Sequence, residues 1–336
     1  MDITSLTREQ LAGQRLMVSF EGTALDPDLR YLIDTLKVGG IVLFKNNVAD
    51  PAQLGRLCRS VQEHARRCGQ PPLLIAIDQE GGQVARLKPP FTQFPGNPAM
   101  GGTADARRFA RVTAAELAGA GVNMNLAPVL DVAPADIDSI MAKRAFGGDP
   151  DWVSQMGATV IDGLQAGGIM AVGKHFPGIG RTVADSHLDM PSLQIDRAAL
   201  QSVDLVPFEA AIGHEVAGIM LSHIRYPGLD PIWPASLSPA IAQDLLRRRM
   251  GYGGLVLTDD LDMGAIDKHF DFSDVIRQTL AADIDLALIC HRSGRMETAF
   301  AQIAAALTDS QSMYQQGLAA ARRILHTKRR YLEKRG

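Results

Sequence analysis

Eight short apolar runs, each followed by a segment long enough for a helix, constrain this chain more than any other feature. They cover residues 16–20, 40–44, 73–77, 122–126, 169–172, 218–221, 254–257 and 286–289. They are rich in Ile, Val and Leu and mostly lack apolar–polar alternation, as parallel strands buried on both faces do. Between them, residues 103–120 and 151–167 carry apolar positions at helical spacing. Ser238-Pro239 reads as an N-cap with proline at the first helical position, opening a helix that runs to about Arg249. A basic amphipathic helix is predicted over about 312–334, packed on the outside of the molecule. Eight β–α alternations over 336 residues predict a closed (β/α)8 barrel rather than an open doubly wound sheet. One domain spanning 1–336 is expected, with long loops after the third, fourth and fifth strands. There is no GxGxxG after the first strand and no P-loop, which disfavours a nucleotide fold.

A composition of 46% hydrophobic residues supplies a large core, and a formal net charge of -3 gives no electrostatic reason to bind nucleic acid or an anionic membrane. No basic stretch followed by an apolar one opens the chain, and no run reaches the length of a membrane span. A cytoplasmic protein is expected. Cys58, Cys68 and Cys290 are odd in number and show no CxxC spacing, so they read as reduced structural thiols.

Catalysis in such a barrel occurs at the C-terminal ends of the strands. The third run leads into Asp78-Gln79-Glu80-Gly81-Gly82, and the fourth into Asn125, Pro128 and Asp131. The fifth leads into Lys174-His175-Phe176-Pro177-Gly178, and the sixth into Ser222-His223. The seventh ends in Thr258-Asp259-Asp260 and the eighth in Cys290-His291-Arg292. Titratable groups thus converge on one face, where unpaired charge is costly without a partner or substrate. The inventory suits a neutral, hydroxyl-rich ligand: Asp78 accepts hydrogen bonds, Lys174, Arg86 and Arg144 donate, and His175 does either.

These residues resemble signatures of the bacterial β-N-acetylglucosaminidases in glycoside hydrolase family 3. Lys174-His175-Phe176-Pro177-Gly178 with Asp185-Ser186-His187 resembles KHFPG…DSH, and Asp78-Gln79-Glu80-Gly81-Gly82 with Arg86 resembles DQEGG…R. The 127–132 segment resembles APVLDV, Arg144-Ala145-Phe146-Gly147 resembles R-S/A-F-G, and Thr258-Asp259-Asp260-Leu261 resembles S/T-D-D-L. Pro234-Ala235-Ser236-Leu237-Ser238 also fits. The match runs in order over about 16–290.

The resemblance implies retaining hydrolysis through a covalent glycosyl–enzyme intermediate, with Asp259 as nucleophile. Spacing alone does not separate Asp259 from Asp260 or Asp262. The resemblance places the general acid/base on His187, oriented by Asp185. A histidine titrating near neutrality can give a proton to the leaving oxygen and then take one from water. Asp78, Arg86, Arg144, Lys174 and His175 are the implied substrate-binding residues. The implied substrate is N-acetylglucosamine β-1,4-linked to anhydro-N-acetylmuramic acid, with or without peptide, in cell-wall recycling. No metal or organic cofactor is implied, and a monomer is expected. The 178–185 segment is expected to be a mobile loop that delivers His187. One departure stands out: the family commonly has a second histidine, KHFPGHG, where this chain has Ile179.

Three other readings compete. Lys174 at a strand end could form a Schiff base in a lyase. His175, His187, His223 and Asp259 could hold a metal in a hydrolase, although the first strand lacks the usual H-x-H and ends in Phe20-Glu21-Gly22. Ile179 could mark a sugar-binding barrel that has lost activity.

Overall fold

The computed structural model describes residues 3–183, 186, 189–291 and 294–332. Eight parallel strands close into a barrel: β1 Leu16–Val18, β2 Gly40–Leu43, β3 Leu74–Ile77, β4 Met124–Asn125, β5 Met170–Phe176, β6 Gly218–Leu221, β7 Leu255–Asp260 and β8 Leu286–Ile289. Each pairs with its sequence neighbours, and β1 pairs with β8 from Leu16 opposite Ala287 to Val18 opposite Ile289.

Burial on both faces explains the unbroken apolar runs. Met17, Val42, Leu74, Met170, Val172, Leu257 and Leu288 fill the barrel interior. Their neighbours Val18, Ile41, Ile75, Ala171, Val256 and Ile289 face the surrounding helices. Those helices begin where the sequence punctuates them. Asp26, Asp50 and Asp149 each precede a proline at the helix start, and each carboxylate accepts a backbone N–H of the first turn. Ser238 does the same: its Oγ accepts the Ile241 N–H at 3.1 Å, opening the helix Ala240–Arg249. Between β5 and β6 the helical stretch is less regular, with a π turn at Leu200–Asp204 before the helix Val206–Gly213.

The last helix, Gln311–Leu332, does more than lie on the outside. Ile324 and Tyr331 join the apolar cluster of the barrel interior. Lys328 is 2% exposed, and its ammonium donates to Gln14 Oε1 at 2.6 Å and to the Gly39 carbonyl at 2.8 Å. Gln14 and Gly39 precede β1 and β2, so this helix covers the N-terminal mouth. Burial pulls the Lys328 pKa down to about 7. The unfolded chain holds that proton to about pH 10.4. Between those values the unfolded state binds the extra proton, so this group makes stability rise with pH there. Lys328→Met is expected to flatten that rise when urea unfolding is compared at pH 7 and pH 9. Parallel curves for the two proteins would contradict this.

Candidate active site

The C-terminal ends of the strands enclose a cavity of about 670 Å³. Asp78, Arg86, Arg144, Lys174, His175, Asp259 and Asp260 all line it, and Phe44, Leu126 and Met220 supply apolar wall. Six of those seven polar residues are the binding residues and nucleophile read from the sequence; Asp260 is the seventh. Asp185 and His187 lie outside the described residues.

On the β3 side the charges form one lattice. Lys174 Nζ sits 2.7 Å from Asp78 Oδ1 and 2.8 Å from Glu80 Oε1. Arg86 Nη2 donates to Asp78 Oδ2 at 3.0 Å. Arg144 grips Glu80 with two bonds, Nε to Oε2 at 3.0 Å and Nη2 to Oε1 at 2.7 Å. A short hairpin after β3, pairing Gln79–Gly81 with Val84–Ala85, brings Glu80 and Arg86 back toward Asp78. Burial pushes the Asp78 and Glu80 carboxyls up, but Lys174 with Arg86 or Arg144 outweighs it and holds both below their ordinary values. The same balance acts on Lys174: burial favours the neutral amine, and Asp78 and Glu80 outweigh it and raise the pKa. A lysine whose pKa is raised by two carboxylates is a poor Schiff-base nucleophile, which counts against the lyase reading.

Glu80 is the residue that the reading of single positions missed as a site member. Its only sequence signal is its place in DQEGG, and its role depends on Arg144, 64 positions away.

His175 is held from below. Its Nδ1 lies 2.8 Å from Asp131 Oδ2, and since a carboxylate only accepts, Nδ1 is the donor. Nε2 then accepts, facing Arg144 Nη2 at 3.5 Å. Asp131 Oδ1 takes the Ile179 N–H at 2.8 Å. That bond holds the start of the loop expected to be mobile. Within the described part of the loop, 178–182 is packed, whereas Val183 is 67% exposed. Tyr226 donates to the Gly178 carbonyl at 2.8 Å, and Ile179 is 4% exposed within the main core. A Cβ on Gly180 would stand 1.9 Å from the Val132 carbonyl oxygen, so only glycine lets the loop lie this close to the chain after β4. Arg181 pairs with buried Asp204 at 3.1 Å. A buried carboxylate, Asp131, anchors the segment that loop composition alone marked as mobile.

On the opposite side β7 presents Asp259 and Asp260. Burial raises the Asp259 carboxyl, but His223, His175 and the Asp260 N–H outweigh it and keep it below its ordinary value. It is therefore a carboxylate at any pH above the ordinary range. Asp260 behaves oppositely. Burial and the nearby Asp262 and Asp259 push it up to about 6, against its bonds from the Asp262 and Cys290 N–H groups. The first closes the turn after β7 and the second ties the end of β7 to the end of β8, the structural role that spacing left open for Asp260. His223 backs the same turn: Nε2 donates to the Asp260 carbonyl at 2.7 Å, and Nδ1 meets Ser236 Oγ at 2.6 Å. His175, His223 and Asp259 do not form a metal-ligand group among the described residues. The cavity thiol, Cys290, is pushed well up by burial and surrounding carboxylates, so it is no nucleophile.

A closed (β/α)8 barrel whose strand ends set an ionised carboxylate against a lattice of buried ion pairs, in a sugar-sized cavity, defines a glycoside hydrolase. The chain belongs to glycosyl hydrolase family 3, whose N-terminal domain profile matches residues 7–327. Among curated relatives, a β-hexosaminidase of Thiobacillus denitrificans is 40% identical over 289 residues, covering 82% of this chain and 78% of the relative. The solved family 3 β-N-acetylglucosaminidase from Paenibacillus sp. superposes with a TM-score of 0.93 at 36% identity, and this chain spans 99% of itself but 64% of that protein. NagZ from Neisseria gonorrhoeae, solved with N-trifluoroacetyl-D-glucosamine, gives a TM-score of 0.76 at 26% identity, covering 92% of this chain and 98% of that one.

Proposed function

We propose that this chain is a retaining β-N-acetylhexosaminidase that removes terminal β-linked N-acetylglucosamine, working as one catalytic barrel over 1–336. The observation that carries this is Asp259, an ionised carboxylate at the end of β7 in the wall of the cavity. A carboxylate fixed on a strand can approach the anomeric carbon without reorganising. In this reading Asp259 Oδ attacks that carbon as the glycosidic C–O bond breaks. His187, oriented by Asp185, gives its proton to the leaving oxygen. Water then attacks the glycosyl ester, losing a proton to His187 and releasing the sugar with its β configuration retained.

Asp78, Arg86, Arg144, Lys174 and His175 are proposed to hold the sugar hydroxyls. Their mutual pairing keeps each charge in place before substrate arrives, so little reordering accompanies binding. The acetamido preference rests on the relatives named above and on the ligand seen in the Neisseria structure. The same reading takes N-acetylglucosaminyl-anhydromuramyl sugars and peptides as substrate, in cytoplasmic cell-wall recycling by a monomer. No helix among the described residues is long and apolar enough to cross a membrane.

One observation favours a second assignment for the acid. Asp260, pushed up to about 6, lines the same cavity and holds a proton to higher pH than an ordinary carboxylate. Two variants separate the readings. His187→Ala is expected to lose about 10²–10⁴ in kcat/KM on a natural disaccharide, and less on a 4-nitrophenyl glycoside, whose leaving group needs no proton. Asp260→Asn is expected to lack that dependence on the leaving group; finding the pattern there instead would move the role. The acetamido assignment is tested by comparing 4-nitrophenyl β-glycosides of N-acetylglucosamine and glucose. Turnover of glucose alone would overturn it.

A further inference from the structure

Two helices on the outside of the barrel, Pro27–Asp34 and Pro51–Arg67, end side by side. Asp34 closes the first, and Cys68 follows the second, with His64 one turn before it on the same face. Asp34 Oδ1 lies 2.6 Å from His64 Nε2 and 3.0 Å from Cys68 Sγ, and Sγ lies 3.8 Å from Nε2. None of the three lines the catalytic cavity.

We propose that Asp34, His64 and Cys68 form a surface site for a divalent cation of the zinc class, with its fourth position open to water. The donor set selects the ion. A thiolate and an imidazole suit zinc and its borderline-soft neighbours, whereas magnesium and calcium take oxygen alone. The spacing is close to what is needed. Zinc bonds of about 2.0–2.3 Å in a tetrahedron put ligand atoms about 3.3–3.6 Å apart. Parting Asp34 from its two partners by about 0.6–0.7 Å, from hydrogen-bond to coordination distance, reaches that geometry. Cys68 and the Asp34 side chain are exposed, so an ion can enter and the carboxylate can move. Two helix C-termini meet here, and their partial negative charge favours a cation.

Three neighbouring cations, Arg67, Lys37 and Arg30, act against it, although Arg67 and Lys37 also favour the Cys68 thiolate. Lys37 Nζ is occupied by the Asp34 carbonyl at 3.1 Å. Arg30 Nη1 faces His64 Nδ1 at 3.3 Å, which makes Nδ1 the acceptor and Nε2–H the donor to Asp34. Binding therefore has a defined proton balance. Cys68 releases its thiol proton to solvent as the sulfur–metal bond forms. The His64 ring proton passes from Nε2 to Nδ1, and the Arg30 guanidinium turns away to solvent. One thiolate and one carboxylate then neutralise the ion's two charges. The catalytic steps proposed above do not pass through this site.

Cobalt(II) tests the site, because a thiolate bound to it gives a charge-transfer band in the near ultraviolet. The full chain is titrated as wild type, Cys68→Ser, His64→Ala and Cys290→Ser, each checked by circular dichroism. Cys290 is included because it sits close to the acidic cluster at the ends of β7 and β8. The band is expected in wild type and Cys290→Ser, is expected to vanish in Cys68→Ser, and to need at least about tenfold more cobalt in His64→Ala. Zinc is expected to displace it. No band in wild type, a band surviving in Cys68→Ser, or a band that zinc does not displace would each overturn the proposal. Cys68 is exposed, so the serine variant tests binding without disturbing the core.

Discussion

Asp259→Asn is expected to lower kcat/KM by at least about 1,000-fold, equivalent to about 4 kcal/mol of transition-state stabilisation, while leaving the fold intact. The side-chain oxygen that accepts the Asp260 N–H at 2.8 Å survives in asparagine, so the end of β7 keeps its local bond. What disappears is the negative charge proposed to attack the anomeric carbon, which His223, His175 and the adjoining N–H keep ionised. Two further readings distinguish a nucleophile from a bystander. In Asp259→Ala the freed space is expected to admit azide, restoring partial turnover and giving a glycosyl azide of inverted configuration. In the wild type, the acid limb of the pH profile is expected below the ordinary carboxylate range, because Asp259 stays ionised there. A variant that keeps more than a tenth of wild-type activity would remove Asp259 from the mechanism.

The second large effect falls on stability. Lys174→Ala is expected to destabilise the protein by about 3–5 kcal/mol and to lower Tm by roughly 4–7 °C. Lys174 is 2% exposed and stands between Asp78 and Glu80, so its removal leaves two buried carboxylates facing each other with only their arginines. In wild type both carboxyls lie below their unfolded values. Their contribution is complete above about pH 4.3 and is lost as pH falls through the lower folded values. Without the ammonium, burial dominates and the folded values move above the unfolded ones. Stability then falls as pH rises through them. The deficit of the variant is therefore expected to shrink between pH 8 and pH 5, as measured by thermal unfolding at both. A deficit that stays constant with pH would mean that lost packing, and not unpaired charge, accounts for the change.

The barrel was legible because parallel strands buried on both faces leave unbroken apolar runs, and all eight runs became strands. Helix starts were legible where chemistry marks them, as Ser238-Pro239 shows. The face of the site was legible too, since polar residues directly after apolar runs must gather at one end. Their pairing was not. Lys174 and Asp78 are 96 positions apart, and Arg144 and Glu80 are 64 apart, so nothing local ties them together. The hairpin that carries Glu80 and Arg86 is too short to leave a periodic pattern. The packing of 178–182 was not legible for a related reason. Its glycines suggest freedom, but Asp131 and Tyr226, from two other loops, satisfy its backbone. Ile179 fits the core that results, where a histidine would need a polar partner.

The claim on which the account depends is that Asp259 bonds covalently to the sugar. The most direct measurement incubates the protein with a 5-fluoro-N-acetylglucosaminyl fluoride, which slows breakdown of the intermediate, and maps the adduct by peptide mass spectrometry. The account predicts one fluorinated N-acetylglucosaminyl unit on the peptide containing Asp259, fragmenting to place it on that residue. An adduct on another side chain, or turnover that yields an inverted product with no adduct, would contradict it.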